Sequence, residues 1–236
     1  ALVMECMALQ PQYQTITGWE ATEQSGETEC AGFDQYKDRV FELAVDDLGI
    51  NRIRLEIRSG AENSTDWFTQ YLNGQISAEE WSAHRYEIIN DNGDPNVLNP
   101  AYFQFSELDL KIERIILPLR ERLVRENKKL FVNLNYVDFE ASQFEHKNFP
   151  QEYAEFVLAT YQHIQSKYGW VPDAWEVILE PDNSGWSAEQ VGNALAAAAS
   201  RLKAGGFQAY FIAPSTMSMS NAVSYFDKII NISGVQ

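Results

Sequence analysis

The sequence contains little cysteine and no long apolar run. Its two cysteines, Cys6 and Cys30, are too few for a disulfide framework and match no zinc-ligand spacing. In an oxidising compartment the two could pair and tie down the N-terminal segment. No stretch reaches the roughly 18 apolar residues that a transmembrane helix needs, so we predict no membrane span. Residues 1–4 lack the basic start and apolar core of a signal peptide, and because the first residue is not Met we expect a processed or trimmed N-terminus.

Basic residues are also scarce. Eighteen Lys and Arg stand against 34 Asp and Glu, which gives a formal net charge of −16. Such a surface repels nucleic-acid phosphates and anionic membranes, so we expect neither as a partner. Neutral substrates stay open. The six Trp and eleven Tyr residues would suit stacking on sugar rings, although most aromatic side chains in a domain belong to its core.

The residues that are present form five strand-then-helix units. The predicted strands are 13–19, 50–57, 130–136, 175–179 and 209–213, and the predicted helices are 34–48, 106–127, 149–168, 187–204 and 220–230. We expect Ser106 with Asp109 and Ser187 with Gln190 to cap helices, and Pro118 to kink or break one. No hairpin signal separates the units, so they predict a parallel sheet covered by helices.

Two architectures contain such a sheet: an open doubly wound fold and a (β/α)₈ TIM barrel. No phosphate-binding Gly-x-Gly-x-x-Gly or Gly-Lys-Ser motif follows any strand, which weakens the first. A barrel needs eight units and typically about 250 residues. We therefore predict that residues 1–236 are one domain, the N-terminal part of a larger α/β barrel, and that the remainder of the barrel comes from residues missing beyond the C-terminus.

A long excursion follows the second strand, at about 59–105. Its length exceeds that of ordinary loops, which suggests a functional role. The segment 90–96, Asn-Asp-Asn-Gly-Asp-Pro-Asn, has some likeness to a calcium-binding loop but lacks the glutamate at the twelfth position. A polar turn is the preferred interpretation, and no metal is predicted. His84, His146 and His163 are scattered and predict neither a metal site nor a catalytic triad.

The segment 175–183 places a carboxylate, Glu180, where a buried strand leaves the sheet just before a helix. Parallel α/β folds build their active sites at this position. A bare Glu-Pro pair would be an ordinary turn. The whole stretch Trp-Glu-Val-Ile-Leu-Glu-Pro, however, resembles the Trp-Glu-Val-Trp-Asn-Glu-Pro signature at the end of the fourth strand in clan A glycoside hydrolases. Gly18-Trp19 after strand one and Arg54 on strand two agree with the order of elements in that clan, and the 90–96 loop is most similar to its family 30.

The resemblance implies a retaining hydrolase of β-glycosidic bonds in a polysaccharide or oligosaccharide, without a cofactor, secreted or periplasmic. Glu180 would be the general acid/base, and Arg54 would orient the nucleophilic carboxylate. The other residues implied in substrate binding are Trp19, Asn135, Tyr136, Asn183 and Trp186. Arg54 could instead form a buried ion pair with Glu56 or Glu176, and Asn135 and Tyr136 could simply satisfy a strand-end turn.

Two departures from the signature keep alternatives open. The asparagine that precedes the acid/base in the clan is Leu179 here, and the nucleophile belongs to a seventh strand that this chain lacks. Glu20, Glu23 and Glu56 do not match the nucleophile's position. A non-catalytic carbohydrate-binding protein on the same scaffold is the first alternative, and a partial α/β domain of unrelated function is the second.

Overall fold

The computed structural model describes residues 16–26, 32–139 and 142–235. Five strands form one sheet in the order β1 (Trp19–Thr22), β2 (Ile50–Arg58), β3 (Phe131–Val137), β4 (Ala174–Glu176) and β5 (Tyr210–Ile212), and each pairs in parallel with the next. The predicted α/β class and parallel sheet are confirmed. Cys6 and Cys30 lie outside the described residues.

Helices connect the strands. They are α1 (Phe33–Glu42), α2 (Trp67–Leu72), α3 (Ala78–His84), α4 (Ser106–Lys111), α5 (Leu117–Arg125), α6 (Pro150–Tyr168), α7 (Pro181–Ser184), α8 (Ala188–Ala204) and α9 (Met219–Ile229). None of the helices in these described ranges is long and apolar enough to cross a membrane.

The two faces of the sheet differ in polarity. Because side chains alternate along a strand, Ile53, Leu55 and Ile57 of β2 enter the core with the helices, whereas Arg54 and Glu56 lie on the opposite face. β3 and β4 repeat this division. A doubly wound sheet covers both faces with helices and reverses its strand order at a switch point. The observed sequential order has no such reversal, which agrees with part of a (β/α) barrel.

The first and fourth strands differ from their predicted bounds. β1 begins at Trp19, where the predicted strand was to end; residues 13–15 of that prediction lie outside the described ranges. Gly18 precedes it at a close approach, since a Cβ there would lie 2.3 Å from Asn51 Oδ1. β4 ends at Glu176, but the chain stays between its neighbours: Val177 N–H donates to Ile212 O and Leu179 N–H to Tyr136 O. The short β4 therefore continues as an irregular segment to the edge of the sheet.

Of the two predicted helix caps and the one predicted helix break, one cap and the break are found. Ser187 and Gln190 form the expected reciprocal capping box of α8. Pro118 is preceded by a π turn, Ile112–Ile116, which joins α4 to α5 and accommodates the missing proline N–H. The Ser106 cap is wrong: Ser106 is the first residue of α4 and its Oγ donates to Asp66 Oδ1 at 2.7 Å.

The excursion between β2 and α4 folds against the carboxyl end of β2. It contains α2 and α3, whose aromatic rings stack: Tyr71 on Trp81 at 4.9 Å and Trp67 on His84 at 3.9 Å between centroids. A bridge between Glu62 and Phe103 closes its base. The excursion is therefore a packed substructure with its own small aromatic cluster.

Gly60 stands where this excursion leaves β2, and we expect Gly60→Ala to lower the free energy of unfolding by about 1–3 kcal/mol. An added Cβ would meet the backbone oxygens of Arg85 at 2.6 Å and His84 at 2.7 Å, which cannot move as a flexible side chain could. Denaturant unfolding measures the change. Gly93→Ala is the control, because nothing lies within 4 Å of its Cβ position. Equal stability of the two variants would contradict the close approach at Gly60.

The far edge of the sheet is apolar. No strand in the described part of the chain pairs with the outer side of β5, and a groove lined by β5, α8 and α9 runs beside it. Val223 and Phe226 of α9 are 68% and 51% exposed. An apolar flank next to an unpaired strand is a surface on which further strand and helix units could pack.

Candidate active site

Glu180 lies at the carboxyl edge of the sheet, directly beyond the irregular end of β4. Its backbone is left-handed, with φ 51° and ψ 62°. Its N–H donates to Ser215 O at 3.1 Å, and Ser215, beyond the end of β5, is also at positive φ. A non-glycine residue in this conformation costs on the order of 1–3 kcal/mol and persists only where its surroundings hold it. Such strain is found most often at functional sites.

Glu180 is partly exposed, and one side chain of the described residues donates a hydrogen bond to its carboxylate. Asn183 Nδ2 donates to Glu180 Oε2 at 3.1 Å. The backbone carbonyl of Glu180 accepts from the N–H groups of Asn183 and Ser184, so that Pro181 begins the short helix α7 directly after it. The structure thus brings together Glu180 and Asn183, two of the residues singled out in the sequence.

Asp182 connects the loops that follow β4 and β5, a role that the sequence did not suggest. Its Oδ1 accepts from Met217 N–H at 2.7 Å, and its Oδ2 accepts from Ser218 N–H at 3.2 Å and Asn221 Nδ2 at 2.8 Å. Partial burial opposes ionisation, but these hydrogen bonds outweigh it and lower the pKa of Asp182. The ionised carboxylate of Asp182 therefore holds the loop after β5 against the loop after β4, which contains Glu180.

Polar side chains line the face of the sheet opposite the apolar core. Glu56, Asn135 and Glu176 are aligned in register on β2, β3 and β4 and are almost fully buried. Within the described part of the chain, neither polar atom of the Asn135 amide has a hydrogen-bond partner. An unpaired buried amide carries a desolvation cost, so it marks a place where a polar group would be accommodated favourably.

Arg54 forms the ion pair that was the alternative to a substrate contact. Its Nη2 donates to Glu56 Oε1 at 3.1 Å, while Arg58 Nη1 holds Oε2 of the same carboxylate at 2.5 Å. The partner is therefore Glu56 and not Glu176. With its remaining exposure of 24%, the Arg54 side chain still reaches the surface of this face.

Glu176 is the second acid of the 175–181 motif and was not singled out as a site residue. Burial raises its pKa, and hydrogen bonds from Asn133 and Ser215 together with the charge of Arg54 oppose this shift. Asn133 Nδ2 donates to Glu176 Oε2 at 2.7 Å. Its place four residues before Glu180, in a strand whose side chains alternate, was the signal that could have identified it.

Trp19, Tyr136 and Trp186 were predicted to contact substrate, and the structure places them elsewhere than beside Glu180. Trp19, 60% exposed, pairs with Ile50 at the amino edge of the sheet, opposite to Glu180. Tyr136 and Trp186 are buried on the helix side, with ring centroids 6.1 Å apart. Tyr136 falls there because it shares the alternation of Val132 and Leu134. The ring of Trp19 therefore lies at the opposite edge from Glu180, and the rings of Tyr136 and Trp186 are enclosed in the core, so the structure does not expose them beside Glu180.

A buried network of charges supports the carboxyl ends of β1 and β2. Lys111 of α4 lies 3.2 Å from Glu23 Oε1 and 3.2 Å from Glu107 Oε1, and it is only 2% exposed. Glu107 also pairs with Arg85 at 3.0 Å and Arg58 at 3.7 Å. Arg58 of β2 therefore has a partner on α4, and Arg85 of the excursion joins the same network through Glu107.

Stability should depend on pH through Glu107. Burial alone would raise its pKa, but Lys111, Arg85 and Arg58 more than offset burial and lower it from 4.5 to about 2. A depressed folded-state pKa contributes stability that is complete above pH 4.5 and is lost as the pH falls toward 2, here about 3 kcal/mol. Urea unfolding between pH 6 and pH 2.5 measures it. We expect E107Q to show a shallower loss below pH 4.5; identical profiles would contradict this assignment.

Fold and site together define an α/β protein with a single parallel sheet in sequential order, whose polar groups gather at the carboxyl edge of the strands. No protein-family model, curated protein or solved structure matches this chain.

Proposed function

We propose that this chain forms the first five units of a (β/α)₈ barrel and belongs to a retaining glycoside hydrolase that cleaves β-linked polysaccharides or oligosaccharides. The observation that carries the proposal is the strained Glu180 at the carboxyl edge of a parallel sheet in sequential strand order. Further units would pack on the apolar flank beside β5. A secreted or periplasmic location would suit such a substrate.

In this mechanism Glu180 acts twice. It first protonates the glycosidic oxygen while a second carboxylate attacks the anomeric carbon, and it then takes a proton from the water that releases the sugar. Asn183 holds Oε2, which leaves Oε1 to face the substrate. The nucleophile would come from a strand beyond β5, with the two carboxyl groups about 5–5.5 Å apart. Arg54 and Glu176 would supply charge on the polar face of the sheet, next to the reacting carboxylates.

A second candidate is a carbohydrate-binding protein without turnover, and Leu179 favours it. In the resembled signature an asparagine at this place contacts the sugar. The side chain of Leu179 is instead apolar and partly buried, and the backbone N–H of Leu179 donates to Tyr136 O. A hydrogen bond that strengthens in the transition state would then be missing.

The experiment that separates these candidates uses the protein that holds this chain together with the remaining strands of the barrel. Aryl β-glycosides and soluble β-glycans are screened for turnover, and the anomeric form of the first product is followed by NMR. Hydrolysis with a β product supports the retaining enzyme. Binding of a glycan without turnover supports the second candidate, and neither binding nor turnover on any β-glycan would overturn both.

A further inference from the structure

Three carboxylates meet away from the candidate active site, where the excursion touches the first turns of α6. They are Asp91 of the loop 90–96 and Glu152 and Glu155 of α6, and one oxygen from each lies within 4.8 Å of the others. The three residues are 8%, 8% and 1% exposed. In sequence the loop lacks the twelfth-position glutamate of a calcium-binding loop; the fold adds two glutamates from a helix.

Each of these residues also has a buried oxygen that no donor among the described residues reaches: Asp91 Oδ1, Glu152 Oε2 and Glu155 Oε1. The other oxygen of Asp91 accepts from Asn99 N–H at 2.6 Å, which fixes the orientation of this carboxylate. None of the three forms an ion pair with a Lys or Arg of the described ranges. Buried charges of one sign without a partner are strongly unfavourable.

The neighbouring Glu62 adds negative charge instead of compensating it. Its two oxygens are already taken, by Asp91 N–H at 3.2 Å and by His146 Nε2 at 2.8 Å. Geometry and charge therefore both indicate that a positive group belongs among these three carboxylates.

We propose that Asp91, Glu152 and Glu155 bind a divalent cation, and that this ion is Ca²⁺. Carboxylate oxygens are ligands for hard cations, and Ca–O distances of about 2.3–2.6 Å allow one ion to reach oxygens that lie up to 4.8 Å apart. Mg²⁺ requires about 2.0–2.1 Å and a near-ideal octahedron that retains several waters, which fits a largely buried set of carboxylates less well.

The ion would attach the excursion to the body of the protein. The same loop is already held at its far end by Arg201 of α8, whose Nη1 donates to Asn96 Oδ1 at 2.9 Å and whose Nη2 donates to Pro95 O at 2.6 Å. A cation between Asp91 and α6 is the second attachment. Its role is to stabilise the loop, and the proposal does not depend on glycosidase activity.

Titration calorimetry of the chelator-treated 236-residue chain with CaCl₂ and, separately, MgCl₂ tests the site. We expect one Ca²⁺ per chain, bound more tightly than Mg²⁺. At free Ca²⁺ about 100 times the Kd, Tm should rise by roughly 5 °C. E155Q should weaken Ca²⁺ binding at least tenfold and remove the rise in Tm. If E155Q does not fold, E152Q provides the same measurement.

Asp94→Asn is the matched control. Asp94 lies in the same loop, but it is exposed and bonded to Asn96 outside the cluster, so the variant should bind Ca²⁺ as the unaltered chain does. If neither Ca²⁺ nor Mg²⁺ binds, the site is overturned. A higher stability of E155Q than of the unaltered chain would then show that Glu152 and Glu155 share a proton. Tighter binding of Mg²⁺ than of Ca²⁺ would overturn the assignment of the ion.

Discussion

The E180Q variant of the complete protein is expected to hydrolyse β-glycosides with poor leaving groups about 10²–10⁴ times more slowly. Glutamine keeps the size of the side chain and can still meet Asn183, but it cannot give a proton to the glycosidic oxygen. The loss should shrink for aryl glycosides with very acidic phenols, because those leaving groups depart without protonation. Steady-state kinetics over a series of phenols measures this dependence.

Added azide gives a second, independent measurement of the role of Glu180. With E180Q, a good leaving group still allows the covalent glycosyl-enzyme to form, and azide can displace the sugar from the ester without a general base. We expect a glycosyl azide of β configuration and a faster turnover when azide is added. Glu189→Gln, an exposed change on α8, is the control and should leave kinetics unchanged. Full activity of E180Q on all substrates would refute the acid/base assignment.

Lys111→Met is expected to give the largest loss of stability, about 3–5 kcal/mol. The ammonium group of Lys111 lies between Glu23 and Glu107, and it is also within 3.5 Å of Glu56 O. Methionine fills a similar volume but leaves buried carboxylates without their central cation. Urea unfolding at pH 7 measures the difference in free energy of unfolding.

Lys129→Met provides the matched control for this loss. Lys129 is 78% exposed and, among the described residues, pairs with Asp173, so its removal should change stability by no more than about 1 kcal/mol. Combining K111M with E107Q should recover part of the stability, because one of the stranded charges is removed as well. Equal losses for K111M and K129M would show that the network around Lys111 is not needed for folding.

Local chemistry allowed most elements to be predicted. The capping box at Ser187, the end of α6 at Tyr168 before the left-handed Gly169, and the π turn before Pro118 follow from backbone rules that act within a few residues. The alternation along β2 predicted two faces, and the lack of hairpin signals predicted parallel pairing. The strand bounds near Trp19 were misplaced because the close approach of Gly18 to Asn51 joins residues that are distant in sequence.

The sequence by itself determined the class of fold and the place of Glu180 at a strand end, since both depend on periodicity and on turn-forming residues. Only the tertiary structure decided which side chains share a surface. It buried Tyr136 and Trp186 on the helix side, paired Arg54 with Glu56, and brought Asp91 to Glu152 and Glu155. Such meetings depend on strand register and on the packing of segments far apart in the chain, which local patterns do not encode.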